Sequence, residues 1–524
     1  MDSTVVNPSR SQSSAIPATR RAFLQSLTAM AAAAMLPRRG NADDSARNLP
    51  NIVILYADDM GYGDLTAQNP DSKIPTPHLD RLAREGMRFT DAHSSSGICT
   101  PSRYALLTGR YHWRKFHGIV NSFEGSVFDA EETTLPGLLQ QAGYRTACIG
   151  KWHLGWDWDA IRVGESSDRR DGPRPEEFDW TQPVPDGPLA HGFDYYFGDD
   201  VPNFPPYAWI ENDRLITTPT EMYAPDPIPE EGQHEGRPGP MTADWRLDAV
   251  MPRLTEKAVE WIAEQKDNEQ PFFLYFPWTS PHTPIVPAPE FQGKTEAGPY
   301  GDFVYQSDWS AGEIMRALDE HGFADNTLVV FSSDNGPEHY AYDRVRNTGH
   351  RSMGTLRGLK RDIYEGGHRV PTIMRWPGVI EPGSVCDALV SQVDILATVA
   401  AIVNVKVPEG TAEDSHNLLP LLQGETPQTP IRDIHIHNTY NRYAIRQGHW
   451  VFINARSGAH SNVPDWFNEE NDYEPNPHEK ALYNLSEDIS QRKNLLEEYP
   501  EKAAELESLL NQHLRRRRTG ANNP

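Results

Sequence analysis

Several stretches of this chain are apolar at nearly every position rather than at alternate ones, and they fall between stretches with helical spacing. Asn51–Tyr56 (NIVILY) stops at Asp58-Asp59, Tyr144–Ile149 runs into Gly150-Lys151, and Phe272–Phe276 and Thr327–Ser332 have the same character. A strand apolar on both faces must be covered on both, which calls for helices on each side of a mostly parallel sheet. The helices are legible too: Leu79, Leu82 and Ala83 before Gly86, then Arg103–Thr108 up to Gly109, Thr134–Gln141, Ser307–His321 and Val393–Val403. Arg88–Ala92 reads as a further strand. The expected fold class is therefore α/β, with a large mixed, mostly parallel sheet sandwiched by helices. Functional groups in such folds gather at the carboxyl ends of the strands.

The remainder divides by composition. Residues 173–240 hold 14 of the 44 prolines. No helix or central strand tolerates that density, so a long irregular excursion is expected there, at the rim of a pocket. From about residue 425 the runs shorten. His435–Asn438, Tyr443–Arg446 and Trp450–Asn454 read as antiparallel strands and Glu501–Leu514 as a helix, giving a smaller C-terminal α+β subdomain over 425–524 beside a catalytic domain over 43–424. Near the start, Arg20-Arg21 precedes an apolar run ending at Leu36, too short to span a bilayer. This pattern reads as a twin-arginine-type signal peptide over 1–42, which makes export machinery a partner during maturation and the destination periplasmic or extracellular. With 49 basic and 74 acidic residues, the net charge of −25 speaks against nonspecific nucleic-acid binding. No apolar run reaches membrane-spanning length, so no stable membrane insertion is expected. Three cysteines (Cys99, Cys148 and Cys386) do not make a disulfide framework.

Two pairs of oxygen-bearing side chains stand where apolar strands stop. Asp58-Asp59 follows the first, and Asp334-Asn335-Gly336 follows Thr327–Ser332. Three carboxylates and an amide, all oxygen donors, suit a hard divalent cation such as calcium or magnesium. Cys99-Thr100-Pro101-Ser102-Arg103 sets a cysteine at a helix start, where the positive end of the helix dipole accommodates anions. On these residues alone, Cys99 is either a thiolate nucleophile or a buried structural cysteine.

Cys99-x-Pro101-Ser102-Arg103, continuing through Ala105-Leu106-Leu107-Thr108-Gly109-Arg110, resembles the hallmark of the type I sulfatases, the arylsulfatase group of the alkaline-phosphatase superfamily. Gly150-Lys151-Trp152-His153-Leu154-Gly155 resembles their second signature. Asn51–Asp59, Asp334-Asn335-Gly336, Gly358-Leu359-Lys360 through Glu365-Gly366-Gly367, and Ala481–Leu485 stand in the family's order. The resemblance implies an alkaline-phosphatase-like fold and a sulfuric ester hydrolase in which Cys99 is oxidised to Cα-formylglycine by a separate formylglycine-generating enzyme. One hydroxyl of the hydrated aldehyde attacks sulfur, and the other later collapses to expel sulfate. The resemblance also implies one calcium ion held by Asp58, Asp59, Asp334, Asn335 and modified Cys99. Arg103 would steady the hydrate, Lys151 and Lys360 would hold sulfate oxygens, His153 would be the base that collapses the hydrate, and His282 the acid that protonates the leaving alcohol. Two other readings remain: a phosphatase or phosphodiesterase of the same superfamily, and a non-catalytic protein that binds sulfated glycans. The expected substrate is an aryl or carbohydrate sulfate. The aromatics Tyr195, Tyr196, Phe197, Tyr207 and Trp209 either stack on its ring or pack over the core. Asp199, Asp200, Glu211 and Asp213 would repel a polyanion, favouring a monosulfated sugar or short oligosaccharide, as for the amino-sugar 6-sulfatases.

Overall fold

The computed structural model describes residues 49–164, 172–225, 230–232 and 235–519, so the twin-arginine segment lies outside the described residues. Asn51–Ala57 is buried at all 7 positions, and its side chains divide between two cores. Ile52, Ile54 and Tyr56 enter one, whereas Val53, Leu55 and Ala57 enter the other. Helices Cys99–Thr108, Leu135–Gln141 and Asp394–Ile402 cover the first face through Leu106, Leu138 and Leu396. Pro77–Glu85, Val250–Glu264 and Gly298–Glu320 cover the second through Leu79, Leu254 and Ile314.

The sheet has 10 strands. Their order is Ser384–Cys386, Met87–Phe89, Thr372–Arg375, Thr327–Ser333, Asn51–Ala57, Phe272–Pro277, Arg145–Lys151, Tyr195–Asp200, Ile210–Glu211 and Arg214–Leu215. The centre is parallel: Asn51–Ala57 pairs in parallel with both Thr327–Ser333 and Phe272–Pro277, and the latter pairs in parallel with Arg145–Lys151. Thr372–Arg375 pairs antiparallel with its neighbours on one flank, as do Ile210–Glu211 and Arg214–Leu215 on the other, so the sheet is mixed. The parallel centre delivers four strand ends, with the segments that follow them, to one edge. Ala57 lies opposite Ser333, and Tyr56 opposite Pro277.

Three expectations need correction. Arg88–Ala92 is not one strand. Met87–Phe89 belongs to the large sheet and Ala92–His93 pairs with Val390–Ser391, because the intervening Asp91 turns aside to bind Arg446 through both guanidinium nitrogens, at 2.6 and 2.6 Å. The proline-rich excursion is not wholly irregular, since its proline-free stretch supplies strand Tyr195–Asp200. Helix Val250–Glu264 lies outside the helices expected from the sequence, because Pro252 masks its periodicity; the proline sits in the first turn, where no intrahelical N–H partner is lost.

A second sheet of 4 antiparallel strands runs Ile434–Thr439, Arg442–Gln447, Trp450–Ile453 and Ala481–Asn484. Ala503, Leu506 and Leu510 of helix Pro500–Thr519 pack on one of its faces together with Tyr111 and Trp113. Ile363 and Tyr364 pack on the other, so the loop after Lys360 is braced by this sheet. Among the described residues, no helix is long and apolar enough to cross a membrane.

The double-sided burial of the central strands predicts a steep stability contrast. Leu274→Ala empties a fully buried position and should cost about 2–5 kcal/mol. Val385→Ala, at a position 55% exposed on the outermost strand, should stay within about 0.5 kcal/mol. Thermal unfolding midpoints of the two variants report the difference, and equal midpoints would contradict the two-core architecture.

Candidate active site

The edge where the parallel strands end gathers the residues singled out in the sequence. Asp58 and Asp59 follow Ala57, and Asp334 follows Ser333, its backbone N–H donating to the Ala57 carbonyl at 3.0 Å. Asp59 is held at φ 65°, a left-handed conformation that costs a non-glycine residue about 1–3 kcal/mol. It is fixed there by its own N–H, which donates to Asp334 Oδ1 at 3.1 Å. Gly336 has a packing reason to be glycine: a Cβ there would lie 1.9 Å from the Gly366 carbonyl oxygen. The two glycine-bearing motifs therefore fit against one another, and Gly336 N–H donates to Gly367 O at 3.0 Å. That contact sets the turn carrying Lys360, whose N–H donates to Pro337 O at 2.9 Å.

Cys99 is the first residue of its helix and is buried. One turn on, Arg103 is fully engaged. Its Nε and Nη2 donate to Asp334 Oδ2 at 3.1 and 2.8 Å, its Nη1 donates to Lys151 O at 3.1 Å, and Nη2 lies 3.5 Å from Asp58. Lys151 ends its strand and places Nζ 2.5 Å from Asp58 Oδ2. Lys360 Nζ reaches Asp59 at 2.7 Å. Three buried carboxylates thus face three buried cations, and the titration behaviour follows. Burial and the neighbouring Asp58 charge push Asp334 up to about 7, and burial pushes Asp59 up to about 6 against the pull of Lys360. For Asp58 burial opposes ionisation, but Lys151, His282 and Arg103 outweigh it and hold the carboxyl well below its usual range. Burial raises the Cys99 thiol above its ordinary value.

Two acceptor oxygens in this cluster, Asp58 Oδ1 and Asn335 Oδ1, are buried without a hydrogen-bond partner. Unpaired acceptors beside further carboxylates fit a hard cation, for which oxygen is the preferred donor. The set Asp58, Asp59, Asp334 and Asn335 is therefore chemically able to hold a divalent ion such as calcium. Lys151, Lys360 and Arg103 reach its carboxylates, and Cys99 opens the helix that carries Arg103.

The two histidines occupy different states. His153, at φ 54°, has its N–H fixed on Asp200 Oδ1 at 3.1 Å. Its Nε2 donates to Val120 O at 2.9 Å, which leaves Nδ1 the unprotonated nitrogen, buried and without a partner. Burial, reinforced by the Lys151 and Arg103 charges, holds it well below the usual histidine pKa. His282 donates Nδ1–H to Thr283 O, and its Nε2 lies 3.7 Å from Asp59 Oδ2. Burial and the Lys360 charge lower its pKa as well.

Cys99, His153, His282 and Lys360 line a cavity of about 160 Å³. That is below the ~300–1,000 Å³ of sites enclosing a drug-sized ligand, so only the end of a larger molecule enters. Sequence reasoning missed further wall residues, among them Asn203, Phe204 and Arg237 from the proline-rich excursion, Glu338 and Arg361 near Lys360, and Tyr440 from the turn between Ile434–Thr439 and Arg442–Gln447. Arg361 adjoins a recognised motif, but nothing local marks the others. Of the two readings of the aromatics, packing over the core is the one seen, with Phe197 stacked on Trp209 at 5.1 Å and Tyr196 fully buried. Asp199 is buried and Asp200 half-buried, their carboxyls raised by desolvation to about 7 and about 6, and both are absent from the cavity wall. A larger groove of about 1200 Å³ near Arg357 and Tyr364 contains none of these catalytic candidates.

The sulfatase family model matches residues 50–405, and the model described as N-sulphoglucosamine sulphohydrolase, C-terminal, matches 359–520. The chain is 34% identical to an N-acetylgalactosamine-6-O-sulfatase of Bacteroides thetaiotaomicron over 90% of its length and 94% of that protein. It is 32% identical to human arylsulfatase A over 85% of its length and 83% of that protein. A solved structure from work on the metabolism of multiple glycosaminoglycans by Bacteroides thetaiotaomicron superposes with a TM-score of 0.73 at 32% identity, covering 89% of this chain and 99% of that one.

Removing Arg103 should strand a buried carboxylate. Arg103→Met should destabilise the protein by about 3–5 kcal/mol, whereas adding Asp334→Asn to it should recover part of that loss. Denaturant unfolding of the two single variants and the double variant measures the coupling, and strictly additive losses would show that the pair is not the tie described.

Proposed function

The chain belongs to the sulfatase family, and from that premise we propose that it hydrolyses a carbohydrate or aryl sulfate ester with formylglycine at residue 99 and one calcium ion. The observation that carries this reading is the convergence of four oxygen-donor side chains, two of their acceptor atoms unpaired, on the first turn of the Cys99 helix. Asp58, Asp59, Asp334 and Asn335 would hold the cation, with an oxygen of modified Cys99 completing the set. Bound there, calcium supplies Lewis-acid polarisation and orients the sulfate, while the modified side chain supplies an oxygen nucleophile with a second hydroxyl for release.

The rest of the chemistry falls to the chain's own groups. Lys151 and Lys360, compact cations fixed on Asp58 and Asp59, take sulfate oxygens. Arg103 holds Asp334 and the Lys151 carbonyl in register and steadies residue 99. His153 accepts a proton at Nδ1, the nitrogen left free by its bond to Val120. Its depressed pKa keeps that nitrogen available at neutral pH. His282 gives a proton from Nε2 to the departing alcohol, and the negative charge of the ester offsets the burial that disfavours its charged form. Membership in the family and the similarity to an N-acetylgalactosamine-6-O-sulfatase favour an amino-sugar sulfate as substrate. The twin-arginine pattern favours an exported enzyme matured beforehand by a formylglycine-generating enzyme.

Sulfate release from a panel of defined sulfated saccharides and an aryl sulfate tests the reading, and no release from any of them by protein modified at Cys99 would overturn it. The two histidine roles separate by leaving group. His282→Ala should lower turnover of sugar sulfates by about 10²–10⁴-fold and of a nitrophenyl sulfate much less, since that leaving group departs without a proton. His153→Ala should slow all substrates alike and let a sulfated adduct accumulate on the Cys99 peptide, detected by mass spectrometry. Equal losses with no adduct in either variant would exchange or remove these roles.

Calcium should also register in stability. Saturation at about a hundredfold over Kd stabilises by about 2.7 kcal/mol, so the unfolding midpoint should rise with calcium and fall with chelator. Asp58→Asn should flatten that response; an unchanged calcium shift in this variant would remove Asp58 from the ligand set.

A further inference from the structure

The walls of the cavity carry two arginines in different electrostatic circumstances. Arg361 is clamped by Glu338, at 2.7 and 2.6 Å from its two oxygens, and its charge is already answered. Arg237 has no such partner. Its Nη1 donates to the neutral amide oxygen of Asn121 at 3.1 Å, and its guanidinium lies over the Phe204 ring at 3.7 Å from the centroid. No carboxylate among the described residues forms an ion pair with it. A half-buried guanidinium braced by an amide and a ring, with donors unspent and a cavity in front of it, is built to receive an oxyanion in planar geometry.

We propose that Arg237 forms an anion subsite for a second acidic group on the substrate, a carboxylate or a further sulfate on the sulfated sugar or on its neighbour. The proposal rests on the sulfatase reading and narrows its substrate class. Arg237 lines the same small cavity as Cys99, His153, His282 and Lys360, which places the second anion on the ring that bears the scissile sulfate or on the ring joined to it. Lys151 and Lys360 already have their carboxylates, Asp58 and Asp59, and act at the scissile group. Arg237 is the cavity cation with charge to spare. Glu235, also on the wall, accepts the Tyr340 hydroxyl at 3.2 Å and offers its remaining acceptor capacity to sugar hydroxyls. Burial lowers the Arg237 pKa even though the Glu124 charge, not in contact, pulls the other way, the reverse of the well-paired Arg361. Asp199, Asp200, Glu211 and Asp213, expected to repel a polyanion near them, are absent from the cavity wall, where the lining carboxylates are Glu235 and the already neutralised Glu338.

Matched substrates test this: a monosulfated sugar, the same sugar with a second sulfate, and the monosulfated sugar joined to a uronate. Wild-type kcat/KM should be higher for the doubly charged substrates. Arg237→Gln should lower kcat/KM for them by about 10- to 100-fold more than for the monosulfated sugar, the worth of one charge-assisted hydrogen-bonded contact. Arg237→Lys should restore part of the difference. Which doubly charged substrate loses more identifies the second group as sulfate or carboxylate. Arg237 also braces Phe204, which meets the His153 ring edge-on at 5.4 Å. A purely supporting role would therefore lower all three substrates equally in Arg237→Gln, and that result, or a wild type without preference, overturns the proposal. Absence of sulfate release from every substrate, an activated aryl sulfate included, would instead fault the underlying sulfatase reading.

Discussion

The site depends on one buried ion pair. Arg103 and Asp334 are both inaccessible to water, and together they join the helix that opens with Cys99 to the end of the strand next to Asn51–Ala57. A buried pair is weak as a source of stability but strong as a constraint, because neither partner can move without leaving the other uncompensated. Asp334 then fixes the Asp59 backbone, Arg103 fixes the Lys151 carbonyl, and Lys151 fixes Asp58. Crowding three carboxylates is tolerable only because three cations enter with them. The same crowding leaves two acceptor oxygens unanswered, which is the property a hard cation requires.

What could be read from the sequence was what is local. The Asn51–Tyr56 and Thr327–Ser332 runs announced central strands because both faces of each residue had to be apolar, and their acidic ends announced the edge where chemistry collects. Cys99 through Arg110 and Gly150 through Gly155 are contiguous, so their likeness to a family could be seen without knowing the fold. Phe204, Arg237 and Tyr440 were invisible for the opposite reason. They come from separate, aperiodic segments, and only the folded chain brings them to one wall. The charges of Asp199 and Asp200 misled because formal charge says nothing of placement; Asp199 is buried, and neither side chain lines the cavity. Arg88–Ala92 failed similarly, since the pull of Arg446 on Asp91 across more than 350 residues cannot be inferred from a strand-like run.

The second sheet is part of the same logic. Asp91 meets Arg446 and His93, and His93 Nδ1 lies 3.0 Å from His368 Nδ1, so a buried polar network links it to the loop that carries Lys360. Two carboxylates, Asp91 and Glu365, balance two guanidinium groups, Arg446 and Arg369. Through Tyr440 the same sheet also reaches the cavity wall.

The two sides of the cavity have different structural owners. One side carries Cys99, His153, His282 and Lys360, on segments tied to the ion cluster at the ends of the parallel strands, whereas Phe204, Arg237 and Tyr440 come from connecting segments. Mutational drift in Phe204, Arg237 or Tyr440 can therefore proceed without rebuilding the ion cluster. The wall that meets the rest of a bound molecule and the cluster at the strand ends are thus separable in the fold: one is free to vary while the other stays as it is.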